Sequence, residues 1–409
     1  MYAFKPHVLT ARSLYSITKP EGRMDVILCC NSKNLYFNDV IEWGSEFHNI
    51  WEYNLTGQQW RLLSSIRRLY ELPDLITYDV IAGTAFESNY LVISTLQDQY
   101  DVQSTFNEEL SSPTCQLHVF DLNSKSSLVR SISKQIPNHS RRHNFIRHGK
   151  YLYNIGIHSE VSESFLDVRK LNMENGVWEI VYTCRGLDAN EPVGGLEHTL
   201  VYSNNMIYIF GNCNCGNRKG SSSFLKISAF DLEKSCWKKV DTYGDENHTP
   251  QYPAEREGFG VTSYTDPDSD EINVIISGGA DFKYNNNGGL IFHKRGCFKF
   301  YDVWRLNLTN LKWTCLERFG TVLPSHIEYH SITISPAGKL FIFDEHIFDH
   351  TVEQKTRKSA LYSTWVRIPK LTDICWEAVF HYFPNLKSMT DKEIISLGIP
   401  LQLLKSRIN

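Results

Sequence analysis

The sequence predicts an all-β fold, a six-bladed β-propeller followed by a short α-helical segment at the C-terminus. Three observations lead to this prediction. A tryptophan-bearing unit recurs along the chain, a short apolar run precedes each copy, and the alternating apolar pattern gives way to helical spacing after residue 369. The predicted domains are therefore residues 1–369, which form the propeller, and residues 370–409, which form the helical tail.

The recurring unit consists of a small polar residue, an aliphatic residue, four further residues and a tryptophan. Four copies fit, at residues 54–60, 172–178, 231–237 and 307–313. An aliphatic residue follows each tryptophan three positions later, so the two side chains lie on opposite faces of a strand. The pattern is typical of a hairpin turn that leads into the outer strand of a blade.

A short run of β-branched or aromatic residues lies upstream of each copy and predicts a buried strand. The clearest runs are residues 207–210 and residues 274–276. Two degraded units complete a series of six, one with Leu128 in place of the tryptophan and one that ends at Trp365. The resulting period of roughly 60 residues is at the long end for radial repeats.

These repeats resemble the kelch motif, in which a hydrophobic strand ends in a glycine pair and a spaced tyrosine and tryptophan follow. Only Gly278 and Gly279 keep the pair intact in this sequence. Glycine lets the backbone turn sharply with no Cβ in the way, and asparagine or aspartate can partly replace it by tolerating positive φ. The order of the units supports the kelch interpretation more than any one motif does.

The strand pattern of the sixth unit ends at Pro369, before an outer strand for its blade. Residues 4–11 precede the first unit and are free to supply that strand. We predict that they close the last blade, because such a pairing leaves no open sheet edge.

Composition and charge are those expected of a non-membrane β protein. The 409 residues are 42% hydrophobic and carry a formal net charge of −4. No apolar run suits a signal peptide or a bilayer-spanning helix, so we expect a cytoplasmic or nuclear protein that binds neither membrane nor nucleic acid. The ten cysteines lack the spacing of a zinc knuckle or a redox pair, and the sequence predicts no metal and no cofactor.

The tail predicts a helix with an apolar stripe. Leu371, Cys375 and Val379 are spaced at i, i+4 and i+8. This spacing resembles the BC-box of cullin-RING ligase receptors, and the resemblance implies that these three residues bind Elongin C as a helix in a groove. The alternative is that the stripe packs against the edge of the propeller.

Two further helices are expected after the first. Thr390 and Glu393 have the spacing of a capping box for the second, and Pro400 suits the first turn of the third. Ile399, Pro400 and Leu403 resemble the cullin-2 box, whereas the cullin-5 pattern is absent. The resemblance implies that these three residues contact cullin-2.

The combination of a six-unit ring and a trailing box resembles the kelch domain-containing protein 10 family over nearly the whole chain. Residues 34–37, 302–308, 335–338 and 383–386 carry that resemblance. Members of the family are substrate receptors of a cullin-2 RING ubiquitin ligase, and their propeller holds the C-terminus of a client that ends in glycine. The resemblance therefore implies a non-catalytic receptor, with Elongin B/C, cullin-2 with its RING subunit and a client C-terminus as partners.

A carboxylate in the mouth of a propeller requires guanidinium, hydroxyl or imidazole donors. The loops that lead into the blades carry the candidates Arg23, Tyr78, Arg141, His143, His198, Arg256, Tyr329 and His330. Glu197 and Glu257 stand where the family has basic residues. Unless neighbouring arginines neutralise them, they favour an internal basic or aromatic segment as the client.

Two other classes of protein are alternatives. A cytoskeletal kelch scaffold with a structural tail is the main alternative to a ligase receptor. A copper oxidase would need ligands such as Tyr329, His330 and His198 near the axis, and no cysteine or acidic partner stands beside them. We therefore expect that the protein is not an enzyme.

Overall fold

A computed structural model of the chain describes most of its strands and the helical tail. The described residues are 5–8, 16–18, 26–31, 47–54, 59–67, 75–87, 90–101, 114–121, 126–131, 144–160, 163–185, 188–192, 198–211, 224–281, 298–323, 330–335, 338–348, 357–383 and 385–401. For the residues before 146, the description is restricted to the backbone.

Strands dominate the described residues. In the first part of the chain they are β1 (Lys5–Val8), β2 (Ser16–Thr18), β3 (Val26–Asn31), β4 (Phe47–Asn54), β5 (Gln59–Arg67), β6 (Leu75–Glu87), β7 (Tyr90–Asp101), β8 (Thr114–Asp121) and β9 (Ser126–Ser131). The middle part has β10 (Asn144–His148), β11 (Tyr151–Glu160), β12 (Glu163–Asn172), β13 (Val177–Tyr182), β14 (His198–Ser203), β15 (Met206–Gly211), β16 (Lys226–Asp231) and β17 (Cys236–Asp241). The last part has β18 (Gly260–Thr265), β19 (Ile272–Ser277), β20 (Ala280–Asp281), β21 (Phe298–Lys299), β22 (Val303–Asn307), β23 (Lys312–Cys315), β24 (Ser331–Ile334), β25 (Lys339–Phe348) and β26 (Arg357–Trp365).

Within the described residues these strands form six four-stranded antiparallel sheets and one two-stranded sheet. In chain order, the first to sixth sheets are β2-β3-β4-β5, β6-β7-β8-β9, β10-β11-β12-β13, β14-β15-β16-β17, β18-β19-β22-β23 and β24-β25-β26-β1, and the small sheet is β20-β21. First strands of neighbouring sheets contact one another, as in the series β6, β10, β14, β18, β24, β2. This side-by-side order of inner strands is that of a β-propeller.

The hydrophobic core lies between successive sheets, because second strands such as β15 and β19 bury both of their faces. In β19, Val274 and Ile276 pack towards the fourth sheet, whereas Ile275 packs towards the sixth. In β15, Tyr208 and Phe210 share the cluster of Val274 and Ile276, and the alternate residues face the third sheet. A strand with both faces buried has no polar face, which explains the continuous apolar runs in the sequence.

The recurring unit joins the third and fourth strands of a sheet, as its pattern predicts. The small polar residue is the last residue of β4, β12, β16 and β22. In three of these turns its side chain accepts from the following backbone: Asn172 Oδ1 from the N–H group of Glu174, Asp231 Oδ1 from those of Glu233 and Lys234, and Asn307 Oδ1 from those of Thr309 and Asn310. Asparagine and aspartate are favoured in turns because their short side chains bond to the backbone two residues on.

Each tryptophan then lies opposite the penultimate residue of the third strand. The pairs are Tyr53 with Trp60, Leu171 with Trp178, Phe230 with Trp237 and Leu306 with Trp313. In the degraded second unit the equivalent pair is Phe120 with Ser127. The prediction that Leu128 takes the tryptophan position is therefore wrong by one residue.

The sixth sheet combines both ends of the propeller sequence. β1 pairs antiparallel with β26, with Lys5 opposite Ser363 and Val8 opposite Ala360. After β26 the chain forms α1 (Leu371–Tyr382) and α2 (Asp391–Ser396). Among the described residues, no helix has both the length and the apolar character needed to cross a bilayer.

Candidate functional site

The loop before β18 places Arg256 in a buried clamp. Its side chain is 0% exposed and pairs with Asp302 through both Nη atoms, with Nη2 2.8 Å from Oδ2. The same guanidinium donates to the Gly278 carbonyl over 3.2 Å and to the Ala254 carbonyl over 2.9 Å. It also lies 4.1 Å from the centroid of the Phe300 ring. Sequence reasoning expected this guanidinium to face a client carboxylate, but the structure directs it into the fold.

Asp302 is the acidic half of this clamp. Burial alone would raise the pKa of its carboxyl, but the hydrogen bonds and the charge of Arg256 outweigh burial and hold the pKa below its usual range. Trp304 adds a third donor, with Nε1 2.7 Å from Oδ2. The pair is therefore ionised and internally satisfied at neutral pH.

The glycine pair after β19 makes room for this clamp. Gly278 and Gly279 have φ values of 61° and 87°, which disfavour a residue with a Cβ. A Cβ on Gly279 would lie 2.6 Å from the Glu257 carbonyl oxygen. Glu257 exchanges backbone hydrogen bonds with Ala280, and its side chain is buried. The intact kelch glycine pair thus supports the backbone on which Arg256 is held.

His330, immediately before β24, is a second candidate that lies inside the fold. Its Nε2 lies 2.8 Å from Ser277 Oγ, and burial lowers the pKa of the imidazole to about 3. The ring also packs against Gly260, where an added Cβ would lie 2.7 Å from Nε2. At neutral pH the imidazole is uncharged, so it does not provide a cation for a carboxylate.

The other predicted pocket residues are described in part or not at all. Tyr78 lies within β6 and His198 begins β14, but their side chains are outside the described residues. Arg23, Arg141, His143 and Tyr329 are also outside them, as is Glu197. The pocket for a client carboxylate therefore stays a prediction.

The tail presents an apolar surface on α1, which we call the α1 stripe. Leu371 is 73% exposed, Tyr382 74% and Ile374 42%, and Cys375 and Ala378 are also exposed. Their spacing of three, four, seven and eleven residues from Leu371 puts all five on one face of the helix. Two of the predicted Elongin-binding residues, Leu371 and Cys375, belong to this stripe.

The opposite side of α1 packs within the tail. Its partners form a cluster made of Trp376, Leu386, Ile394 and Ile399, with Val379, Phe383, Met389 and Leu401 packed against it. Val379, the third predicted Elongin-binding residue, is thus half-buried at the boundary between the cluster and the stripe. Of the predicted cullin-binding residues, Ile399 is buried, Pro400 is exposed, and Leu403 lies outside the described residues.

Polar contacts attach α1 to the sixth sheet. Glu377 pairs with Lys339 and accepts a hydrogen bond from Trp365 Nε1 over 3.2 Å. Sequence reasoning missed these contacts, because an acidic residue on an amphipathic helix carries no sign of its partner. They place Glu377 towards the sheet and leave the α1 stripe in solvent.

No protein-family model matches the chain. The kelch domain-containing protein 10 homolog of Drosophila melanogaster is 24% identical over 361 residues, which cover 87% of this chain and 54% of the relative. Kelch domain-containing protein 10 of Homo sapiens is 24% identical over 239 residues, which cover 58% of this chain and 47% of the relative. The chain is similar to kelch domain-containing protein 10.

The resemblance to kelch domain-containing protein 10 that the sequence predicts is therefore confirmed. The chain spans about half the length of the curated relatives it matches. Among solved structures, Trypanosoma rangeli sialidase matches with a TM-score of 0.51 and 10% identity, over 89% of this chain and 55% of that one. A likeness at that identity concerns the fold alone, and it supports the propeller.

Proposed function

We propose that this protein is the substrate-recognition subunit of a cullin-2 RING ubiquitin ligase. In this proposal α1 binds Elongin C, the end of the tail contacts cullin-2, and the propeller holds the client. The protein itself performs no catalysis, since its role is to bring a client close to the ligase. The likeness to kelch domain-containing protein 10 supports the proposal, and the α1 stripe is the observation that carries it.

The α1 stripe has the properties of a helix that docks into a groove. Full burial of a leucine or aromatic side chain is worth about 1.5 to 3 kcal/mol relative to exposure, so an apolar stripe in water is a source of binding free energy. The small residues Cys375 and Ala378 lie between Leu371 and Tyr382 and permit close approach of a partner. The alternative of a stripe packed on the propeller edge does not match these exposures.

In this proposal the propeller binds the C-terminal carboxylate of the client. Arg256 and His330 offer it no free positive charge, since one is paired with Asp302 and the other is neutral. Among the predicted pocket residues, the remaining arginines are Arg23 and Arg141, which lie outside the described part of the chain. Binding of a peptide that ends in glycine, compared with its C-terminal amide, tests this directly, because only the carboxylate differs.

The first experiment is capture of purified Elongin B/C, with and without cullin-2, by the wild-type protein and by Leu371→Ser. We expect stoichiometric capture by the wild type and its loss in the variant. Ile395→Ser is the matched control, because Ile395 is a 58% exposed aliphatic residue of the same tail outside the α1 stripe. No capture by a folded wild type would reject the receptor and favour a kelch scaffold.

A further inference from the structure

Three side chains with metal-binding atoms meet beside the connection between the fourth and fifth sheets. They are His248, Cys315 and Glu317, and one ligand atom from each lies within 4.8 Å of the others. Cys315 ends β23 and Glu317 begins the short 3₁₀ turn that follows, whereas His248 lies in the segment between β17 and β18. That segment is attached to β23 by a parallel bridge between Tyr243 and Lys312.

His248 is oriented as a metal-binding imidazole. Its Nδ1 lies 2.7 Å from the Pro250 carbonyl oxygen, which can only accept, so Nδ1 carries the hydrogen. The lone pair of the neutral ring is then on Nε2, which lies 3.7 Å from Glu317 Oε2. Metal-binding histidines almost always donate their second N–H in this way. The ring is further held edge-on to Trp304, with centroids 5.2 Å apart.

Both the backbone N–H and the sulfur of Cys315 make hydrogen bonds. Its side chain is buried, and its N–H donates to Asp245 Oδ2 over 2.9 Å. The backbone N–H of Glu317 donates to the sulfur, but burial and the nearby carboxylates raise the pKa of the Cys315 thiol to about 11, so a bound metal ion must displace the thiol proton. Hydrogen bonds to sulfur are a recurrent feature of metal thiolates, because they stabilise the charged form. The nearby cation Arg318 is directed to Asp245 over 3.5 Å and lies over the Phe319 ring.

We propose that His248 Nε2, Cys315 Sγ and the Glu317 carboxylate bind one divalent transition metal ion, with Zn²⁺ the best match. Zinc accepts nitrogen, sulfur and oxygen ligands in tetrahedral geometry, and water would complete the four. Binding releases the thiol proton to solvent, so the ion is neutralised by one thiolate and one carboxylate. The site would fasten the inter-sheet connection to the outer strand of the fifth sheet. This proposal is independent of the ligase function.

The test uses the full-length protein after removal of metal with a chelator. Zn²⁺ is titrated in competition with a chromogenic chelator, and Co²⁺ is added separately to record thiolate-to-cobalt charge-transfer absorption. We expect one equivalent of Zn²⁺, a charge-transfer band that Cys315→Ser abolishes, and an affinity that Glu317→Gln and His248→Gln each weaken roughly 10-fold or more. Cys375→Ser is the control, because this exposed thiol lies outside the site.

A second readout guards against loss of the fold in Cys315→Ser, whose side chain is buried. Glu317→Gln changes a half-exposed side chain, so it should remain folded, and Zn²⁺ should raise the thermal midpoint of the wild type but not of this variant. The proposal is overturned if folded wild type binds no Zn²⁺, or if Glu317→Gln binds it as tightly. A cobalt–thiolate band that persists in folded Cys315→Ser would also overturn it.

Discussion

Arg256→Met tests whether Arg256 is a structural clamp or a ligand-binding residue. The substitution leaves the Asp302 carboxylate with the Trp304 N–H and its own backbone N–H as described donors, and it removes donors from the Gly278 and Ala254 carbonyls. Removal of one partner from a fully buried ion pair costs about 3 to 5 kcal/mol, because the other charge stays desolvated. The Asp302 side chain is 22% exposed and water can reach it, and methionine retains packing on the Phe300 ring, so we expect a loss of unfolding free energy of about 3 kcal/mol, at the lower end of that range.

The assay is urea denaturation at pH 7, followed by tryptophan fluorescence. Lys226→Met is the control, because the Lys226 ammonium pairs with Asp241 over 3.2 Å and both side chains are largely exposed. Surface pairs of this kind are worth about 0 to 1 kcal/mol. If Arg256→Met costs no more than Lys226→Met, the clamp is not structural and Arg256 becomes a candidate for client binding again.

The pH dependence provides an independent check on the same clamp. The pKa of Asp302 is depressed in the folded protein, so its contribution to stability is present above about pH 4 and is lost as pH falls below that value. The difference in unfolding free energy between wild type and Arg256→Met should therefore shrink in acid. A difference that is unchanged at pH 3 would contradict the ion-pair explanation.

Three further predictions concern packing and protonation. The pKa of His330 is about 3 in the folded protein, against an ordinary value of 6.5. The unfolded state therefore binds one more proton below pH 6.5, and the free energy of unfolding should fall there by roughly 1.4 kcal/mol per pH unit. His330→Gln should reduce this pH dependence, as measured by urea denaturation at pH 7 and pH 5. Trp313 is 0% exposed, whereas Trp178 is half-buried. Trp313→Ala should therefore lower the free energy of unfolding by about 3 to 5 kcal/mol, and Trp178→Ala should lower it by less. Equal shifts of the urea denaturation midpoint in the two variants would contradict this. Thr390 and Glu393 form the capping box expected from their spacing, so Thr390→Ala should speed amide hydrogen exchange in α2, and unchanged exchange would show that packing alone holds the helix.

Much of the fold could be predicted because the repeat reflects local interactions, namely the burial of strand faces and the hydrogen bonds of turns. The runs 207–210 and 274–276 have no polar face, which is possible only for strands buried on both sides. The small polar residue before each tryptophan could be predicted to begin a turn, since its side-chain oxygen accepts from the backbone N–H groups of the next residues. The register of the second unit could not, because Ser127 carries no apolar signal at the tryptophan position.

The sites were less predictable, since they depend on partners that are distant in sequence. A loop arginine is expected at the surface, and nothing near Arg256 in the sequence points to Asp302 or to a buried position. The proximity of His248, Cys315 and Glu317 could not be predicted for the same reason, because His248 is remote from Cys315 along the chain and matches no local motif. The helical spacing did place Leu371 and Cys375 on one face, but only the packing of Trp376 shows that this face is outside.

The pairing of β1 with β26 has a consequence for synthesis of the chain on the ribosome. β1 is synthesised before its partner, which follows only after more than three hundred further residues, and at 5 to 20 residues per second this takes roughly 20 to 70 s. During that interval β1 has no partner strand, because β24, β25 and β26 are not yet synthesised. Since α1 begins a few residues after β26, the α1 stripe is completed at almost the same moment as the ring. A newly made chain therefore acquires the exposed α1 stripe at the point when its propeller can first close.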